Sequence, residues 1–233
     1  MLSFKRLSAI LALAIAPVTL GGCEDNESAL FVRSALKLED GECLARAQPD
    51  ATALAFGTLD LAFPTSYVAS LLVGNQLARQ GDRDKVRTET ARVQLRGAVV
   101  SVRDESDSEI ASFTSPGAGF VDPGNGNEPG YGIMFAELIP RGLITAPQRV
   151  TVSVRVFGET LGGRDIESSE FIYPISVCQG CLVSFPSDAI DAVTGDCTKG
   201  EPPSETPCNI GQDSPIDCRL CSLNAVCDSN PNN

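Results

Sequence analysis

Three observations predict an all-β fold. Apolar residues recur at every second position in several short runs, glycine and proline punctuate the intervals, and no run reads as a substantial helix. Together they predict an antiparallel β-sandwich followed by a disulfide-rich, largely irregular C-terminal appendage. The elements follow in chain order.

Residues 1–22 read as an export signal. Lys5 and Arg6 precede an apolar run over residues 7–16, then Pro17 and small residues up to Cys23. The run is about half the roughly 20 residues that a spanning helix needs. Leu20-Gly21-Gly22-Cys23 resembles the lipobox of bacterial lipoproteins. That resemblance implies cleavage before Cys23, lipidation of Cys23 and a mature chain tethered to a membrane outside the cytoplasm. In that family an Asp directly after the cysteine favours the inner membrane; Glu24 stands there, so the outer membrane is expected. Residues 23–28 would be the lipidated tether.

The sandwich is expected over residues 29–177. Residues 29–38 read as a strand entering a hairpin at Glu39-Asp40-Gly41, with residues 42–47 as its partner. Residues 51–63 form a strand whose apolar parity flips at Gly57, which predicts a bulge or bend. Residues 67–77 alternate again, with Tyr67, Ala69, Leu71, Val73 and Leu77 on one face. After a charged loop, residues 88–103 flip at Gly97, Val93 and Leu95 on one face and Ala98, Val100 and Val102 on the other.

An acidic turn over 104–109 leads to a short strand over 110–114. Residues 115–130 hold five glycines and three prolines and read as a long surface loop. Residues 131–139 are apolar on both faces, as a central strand would be. Val150, Val152, Val154 and Val156 make the cleanest period-2 run; Phe171, Tyr173, Ile175 and Val177 make the last. The layout resembles immunoglobulin-like and fibronectin-like domains, without their hallmark tryptophan and intersheet cysteine pair. Fold analogy of this kind licenses no function.

Residues 178–233 change character. They are rich in cysteine and proline and poor in large apolar residues, so cross-links must hold them against the sandwich. Setting aside Cys23, eight cysteines remain: Cys43, Cys178, Cys181, Cys197, Cys208, Cys218, Cys221 and Cys227. In an exported chain an even set reads as four disulfides, whose pairing sequence leaves open. Seven of the eight lie at or beyond Cys178, an odd number. If all are bridged, at least one bond must join Cys43 to the C-terminal region.

Composition narrows the function. Without residues 1–22 the chain carries sixteen basic against thirty acidic residues, which argues against nucleic acid as a partner. There is no histidine, which removes the commonest metal ligand and the usual base of nucleophilic catalysis. Cys178-Gln179-Gly180-Cys181 and Cys218-Arg219-Leu220-Cys221 are two CxxC motifs, but 36 residues separate them, against about 12–20 in structural zinc sites. Residues 182–186 begin no helix that would activate a thiol. The acidic stretches 104–109 and 122–128 lack the alternating ligand spacing of a calcium loop and read as solvated turns. No catalytic, cofactor-binding or metal-ligating residue is therefore expected.

The lipobox, Gly57-Thr58-Leu59-Asp60, Asn75-Gln76-Leu77 and the Cys178–Leu182 stretch together resemble uncharacterised cysteine-rich lipoproteins of Gram-negative bacteria. The resemblance implies a family of unknown role. The anchor, the missing catalytic constellation and a fold that presents loops for binding lead instead to a lipid-anchored envelope protein with a structural or binding role, meeting the membrane through its lipid and other envelope proteins or extracellular matrix through its fold. Two alternatives stand beside it: a carbohydrate-binding or carboxylate-based hydrolase accessory, and a redox or zinc protein using the CxxC motifs.

Overall fold

The computed structural model describes residues 28–39, 41–81, 88–222 and 224–228. The expected signal, Cys23 and most of the tether lie outside them. In chain order the strands are β1 (Leu30–Leu36), β2 (Ala53–Leu54), β3 (Gly57–Asp60), β4 (Tyr67–Asn75), β5 (Val93–Arg103) and β6 (Glu109–Val121). Then come β7 (Gly130–Ile139), β8 (Gln148–Thr160), β9 (Asp165–Glu167), β10 (Phe171–Cys178), β11 (Val183–Ser184) and β12 (Ile216–Asp217). One sheet runs β2-β1-β4-β7 and the other β3-β10-β8-β5-β6, with β9 added beside β8. The fold is thus nearly all β, in two sheets with a shared core. Pairing is antiparallel except at β3–β10 and at the small β11–β12 pair, which are parallel.

The core takes one side chain in two from each sheet. Tyr67, Ala69, Leu71 and Val73 of β4 and Met134, Ala136 and Leu138 of β7 face Val150, Val152, Val154 and Val156 of β8. Tyr173, Ile175 and Val177 of β10 complete that side. The parity break at Gly97 has a simple cause. The register slips between Leu95 and Gly97 against both neighbours, a bulge, and as a result Val93 and Leu95 point into the same core as Ala98, Val100 and Val102. The break at Gly57 is larger than a bend. Residues 51–63 are not one strand: β2 belongs to one sheet and β3 to the other, and the chain crosses between them at residues 55–56. Gly57 is required there, because a Cβ would lie 2.4 Å from the Tyr67 hydroxyl oxygen.

Three further expectations are corrected. Residues 42–47 form no strand; β1 pairs with β4 and, at Ala35 and Leu36, with β2. The stretch they occupy is a tight turn, closed by Cys43 N–H to Glu39 O and Glu39 N–H to Leu44 O. Residues 115–121 are strand rather than loop, continuing β6. Glycine there marks close backbone approach to β7, since a Cβ on Gly119 would sit 2.7 Å from Ile133 O and, from the β7 side, one on Gly132 would sit 2.4 Å from Phe120 O. β7 itself lies at a sheet edge and owes its apolar character to this corner, where the two sheets close on each other.

Beyond Cys178 the chain builds a small second core of Ala189, Cys197, Ile216, Cys218 and Cys227 against Phe63. Two short 3-10 turns, Cys218–Leu220 and Ala225–Cys227, carry Cys218 and Cys227 of that core, capped by the side chains of Asp217 and Asn224.

Candidate functional site

The eight candidate cysteines form four disulfides: Cys43–Cys208, Cys178–Cys181, Cys197–Cys218 and Cys221–Cys227. The two CxxC motifs therefore differ. Cys178 and Cys181 bond to each other, whereas Cys218 and Cys221 bond to Cys197 and Cys227. Two groups place carboxylates beside cysteines, Asp60 with Cys178 and Cys181, and Asp217 with Cys197 and Cys218. As disulfides these sulfurs offer a metal no thiolate. The acidic turns are occupied internally. Asp104 accepts from the N–H groups of Ser106 and Ser108, Asp107 pairs with Arg103, and Asp122 with Arg92.

The Cys178–Cys181 turn closes the end of β10. Cys178 is half-buried and Cys181 is exposed, and Gly180 takes the left-handed conformation (φ 74°) that the reversal needs. Beneath it lies Asp60, fully buried at the end of β3. Its Oδ1 accepts the N–H of Ala62 (2.9 Å) and of Gly180 (2.6 Å), and its Oδ2 accepts that of Leu182 (2.9 Å). Leu61 N–H also donates to Cys178 O. Asp60 thus fixes the turn through the backbone. By loop closure alone the bond spanning three residues is worth about 2 kcal/mol, against about 5 kcal/mol for Cys43–Cys208 across 165 residues.

Past Cys208 the chain returns to the sandwich. Residues 211–213 run beside the free edge of β3: Leu59 bridges Gln212, Asp60 N–H donates to Gly211 O, and Asp213 N–H donates to Thr58 O. The side chain of Gln212 continues across to the other sheet, accepting Val68 N–H (2.9 Å) and donating to Val68 O (2.7 Å). Asp213 holds a left-handed backbone (φ 58°), which Asp tolerates, and turns its carboxylate inward. There it accepts Thr58 N–H (2.8 Å) and the Tyr67 hydroxyl (2.9 Å), while the hydroxyls of Tyr67 and Tyr173 lie 3.0 Å apart. A cavity of about 30 Å³ bounded by Tyr67, Gln212 and Asp213 adjoins the joint.

Electrostatics follow from that position. Burial pushes both tyrosine hydroxyls well above their ordinary range, the nearby Asp213 charge adding to the effect. Burial also raises the Asp213 carboxyl above the ordinary aspartate range, partly offset by the donors from Thr58, Gln212 and Tyr67. A carboxyl with a raised folded-state pKa stabilises the fold below its unfolded value and withdraws that stabilisation as pH rises through the folded one. Asp213→Asn removes this dependence while keeping the turn. Its stability deficit against the parent, about 1–2 kcal/mol near pH 4, is expected to narrow toward pH 7. Urea unfolding at the two pH values checks this; a deficit that widens contradicts burial as the dominant influence.

Sequence reasoning missed Asp60, Gln212 and Asp213. The available signal was Tyr67 and Tyr173 at inward strand positions, because a buried hydroxyl calls for a partner. Nothing local pointed to Asp213 as that partner, 146 residues away from Tyr67.

Two surfaces face outward from the sheets. On the β1-β4-β7 side the Phe31 ring lies over Gly74 and meets the Tyr131 ring edge-on at 6.3 Å, with Arg33 5.8 Å from that ring and Phe135 exposed four residues further along β7. On the other sheet Ser112, Ser101 and Ser153 form a hydroxyl row across β6, β5 and β8, flanked by Arg103, Arg155 and Glu170 in a shallow groove of about 360 Å³. No protein-family model matches the chain, and no curated protein is a significant match to it.

Proposed function

We propose that this chain is a lipid-anchored cell-envelope protein, exported and tethered through Cys23, that acts by binding other envelope proteins or extracellular matrix and not by catalysis. The observation that carries the reading is the Leu20–Cys23 lipobox followed so closely by the fold. Cys23 to Ser28 can span at most about 18 Å, so the sandwich would rest near the bilayer surface. Four disulfides suit a compartment outside the reducing cytoplasm. Tyr67, Tyr173 and Asp213, whose ionisation burial disfavours, are committed to the joint between sandwich and tail. The aromatic face around Phe31, Tyr131 and Phe135 is the surface of choice for a protein partner, since rigid aromatic side chains give large contact at low entropic cost.

Replacing Cys23 by Ser is expected to move the protein from the membrane fraction to the soluble fraction and to remove the acyl mass; retention in the membrane would overturn the anchor. Density-gradient separation then assigns the membrane, with the outer one expected from Glu24. Turnover of a small substrate by the purified protein, lost on point changes that leave it folded, would overturn the binding role.

The hydroxyl groove supports a second reading as a carbohydrate-binding accessory. Its serines, its arginines and the carboxylates of Glu109 and Glu170 can exchange hydrogen bonds with a polyhydroxylated ligand. A glycan array decides it, with Arg155→Ala as the control expected to abolish any signal.

A further inference from the structure

We propose that Cys178–Cys181 is a thiol–disulfide exchange site whose partner is a protein dithiol, and that the other three bridges are structural. The four bonds differ in what they hold. Cys197 and Cys218 are buried in the second core, and Cys227 is buried opposite a half-buried Cys221. Cys43 is exposed, but its bond ties a turn beside β1 to the segment that completes the edge at β3. Cys178–Cys181 spans three residues and joins parts of one turn that Asp60 already clamps through Gly180 and Leu182. Its opening leaves the turn in place and keeps the two thiols adjacent, so closure is equally direct. Of the two CxxC motifs, only this one closes on itself.

The exchange balances as follows. A partner thiolate attacks Sγ of Cys181, the more exposed residue of the pair; the Cys178–Cys181 bond breaks, and its electron pair leaves on Cys178 Sγ, which takes up a proton. The second partner thiolate then attacks the partner's own sulfur in the mixed disulfide and expels the Cys181 thiolate, which is protonated in turn. The partner dithiol loses two electrons and becomes a disulfide, and the chain gains a pair of thiols. Oxidation by a disulfide of higher potential reverses the steps.

The test uses the native oxidised protein, graded dithiothreitol, acid quench, alkylation and peptide mapping. Cys178 and Cys181 are expected to be alkylated together at about a tenth of the dithiothreitol concentration that opens the next bridge, with circular dichroism unchanged. Reduced thioredoxin, as the protein dithiol, is expected to open this pair alone, and glutathione disulfide to close it again. Prior or simultaneous opening of another bridge, loss of structure when this pair opens, or no reaction with thioredoxin would each overturn the proposal. A second arm compares stability: Cys178→Ser with Cys181→Ser should lower the melting temperature far less than the same change at Cys43 and Cys208. An equal fall would assign the bond a structural role instead.

Discussion

Replacing Cys43 and Cys208 together by serine is expected to cost about 5 kcal/mol of stability, the largest effect of any pair in the molecule. The bond closes 165 residues, nearly the whole sandwich, so its loss returns to the unfolded chain the greatest freedom that any of the four bridges withholds. The native consequences run along one path. Cys208 leads directly into residues 211–213, which pair with β3, and from there Gln212 and Asp213 reach Val68, Thr58 and Tyr67. A weakened attachment therefore exposes the edge of β3 and leaves the inward Tyr67 hydroxyl without its carboxylate acceptor, with only the Tyr173 hydroxyl beside it. Guanidinium unfolding measures the loss. Near-ultraviolet circular dichroism reports the joint, because the chain has three tyrosines and no tryptophan. A loss below about 1 kcal/mol would mean that the segment docks through hydrogen bonds alone.

Asp60→Ala is expected to cost about 3 kcal/mol, more than the disulfide above it contributes. The carboxylate is fully buried and accepts three backbone N–H groups, from Ala62, Gly180 and Leu182. Alanine supplies no acceptor, and the donors sit in half-buried backbone where water replaces the carboxylate only in part. The ranking is the informative outcome. If Asp60→Ala proves milder than removal of Cys178 and Cys181, the disulfide and not the carboxylate shapes the turn. Thermal unfolding of the two variants side by side settles the order.

The glycines at positions 57 and 97 mark how far pattern reading carries. Both interrupt an apolar alternation in the same way, and both read as a bulge or switch of face. At Gly97 the structure has a bulge within one strand; at Gly57 the chain leaves one sheet and enters the other. Period and parity report that a side chain changes direction, and they are blind to which strand lies alongside. The same limit explains residues 115–121. Glycine content signals a loop when judged locally, but here it answers the close approach of β6 and β7 at the corner of the sandwich.

By itself the sequence determined the class of fold, the apolar face of β4, β8 and β10, and, once all eight cysteines are bridged, a long bond from Cys43. These follow from local alternation and from the parity of a count, neither of which needs three dimensions. The tertiary structure alone decided the partners: Cys208 for Cys43, Asp213 for Tyr67, Asp60 for the Cys178 turn, and the self-closure of one CxxC motif but not the other. Each of the first three joins residues more than a hundred positions apart. Such contacts are selected by how two sheets and a returning tail pack together, a property that no single stretch of the chain contains.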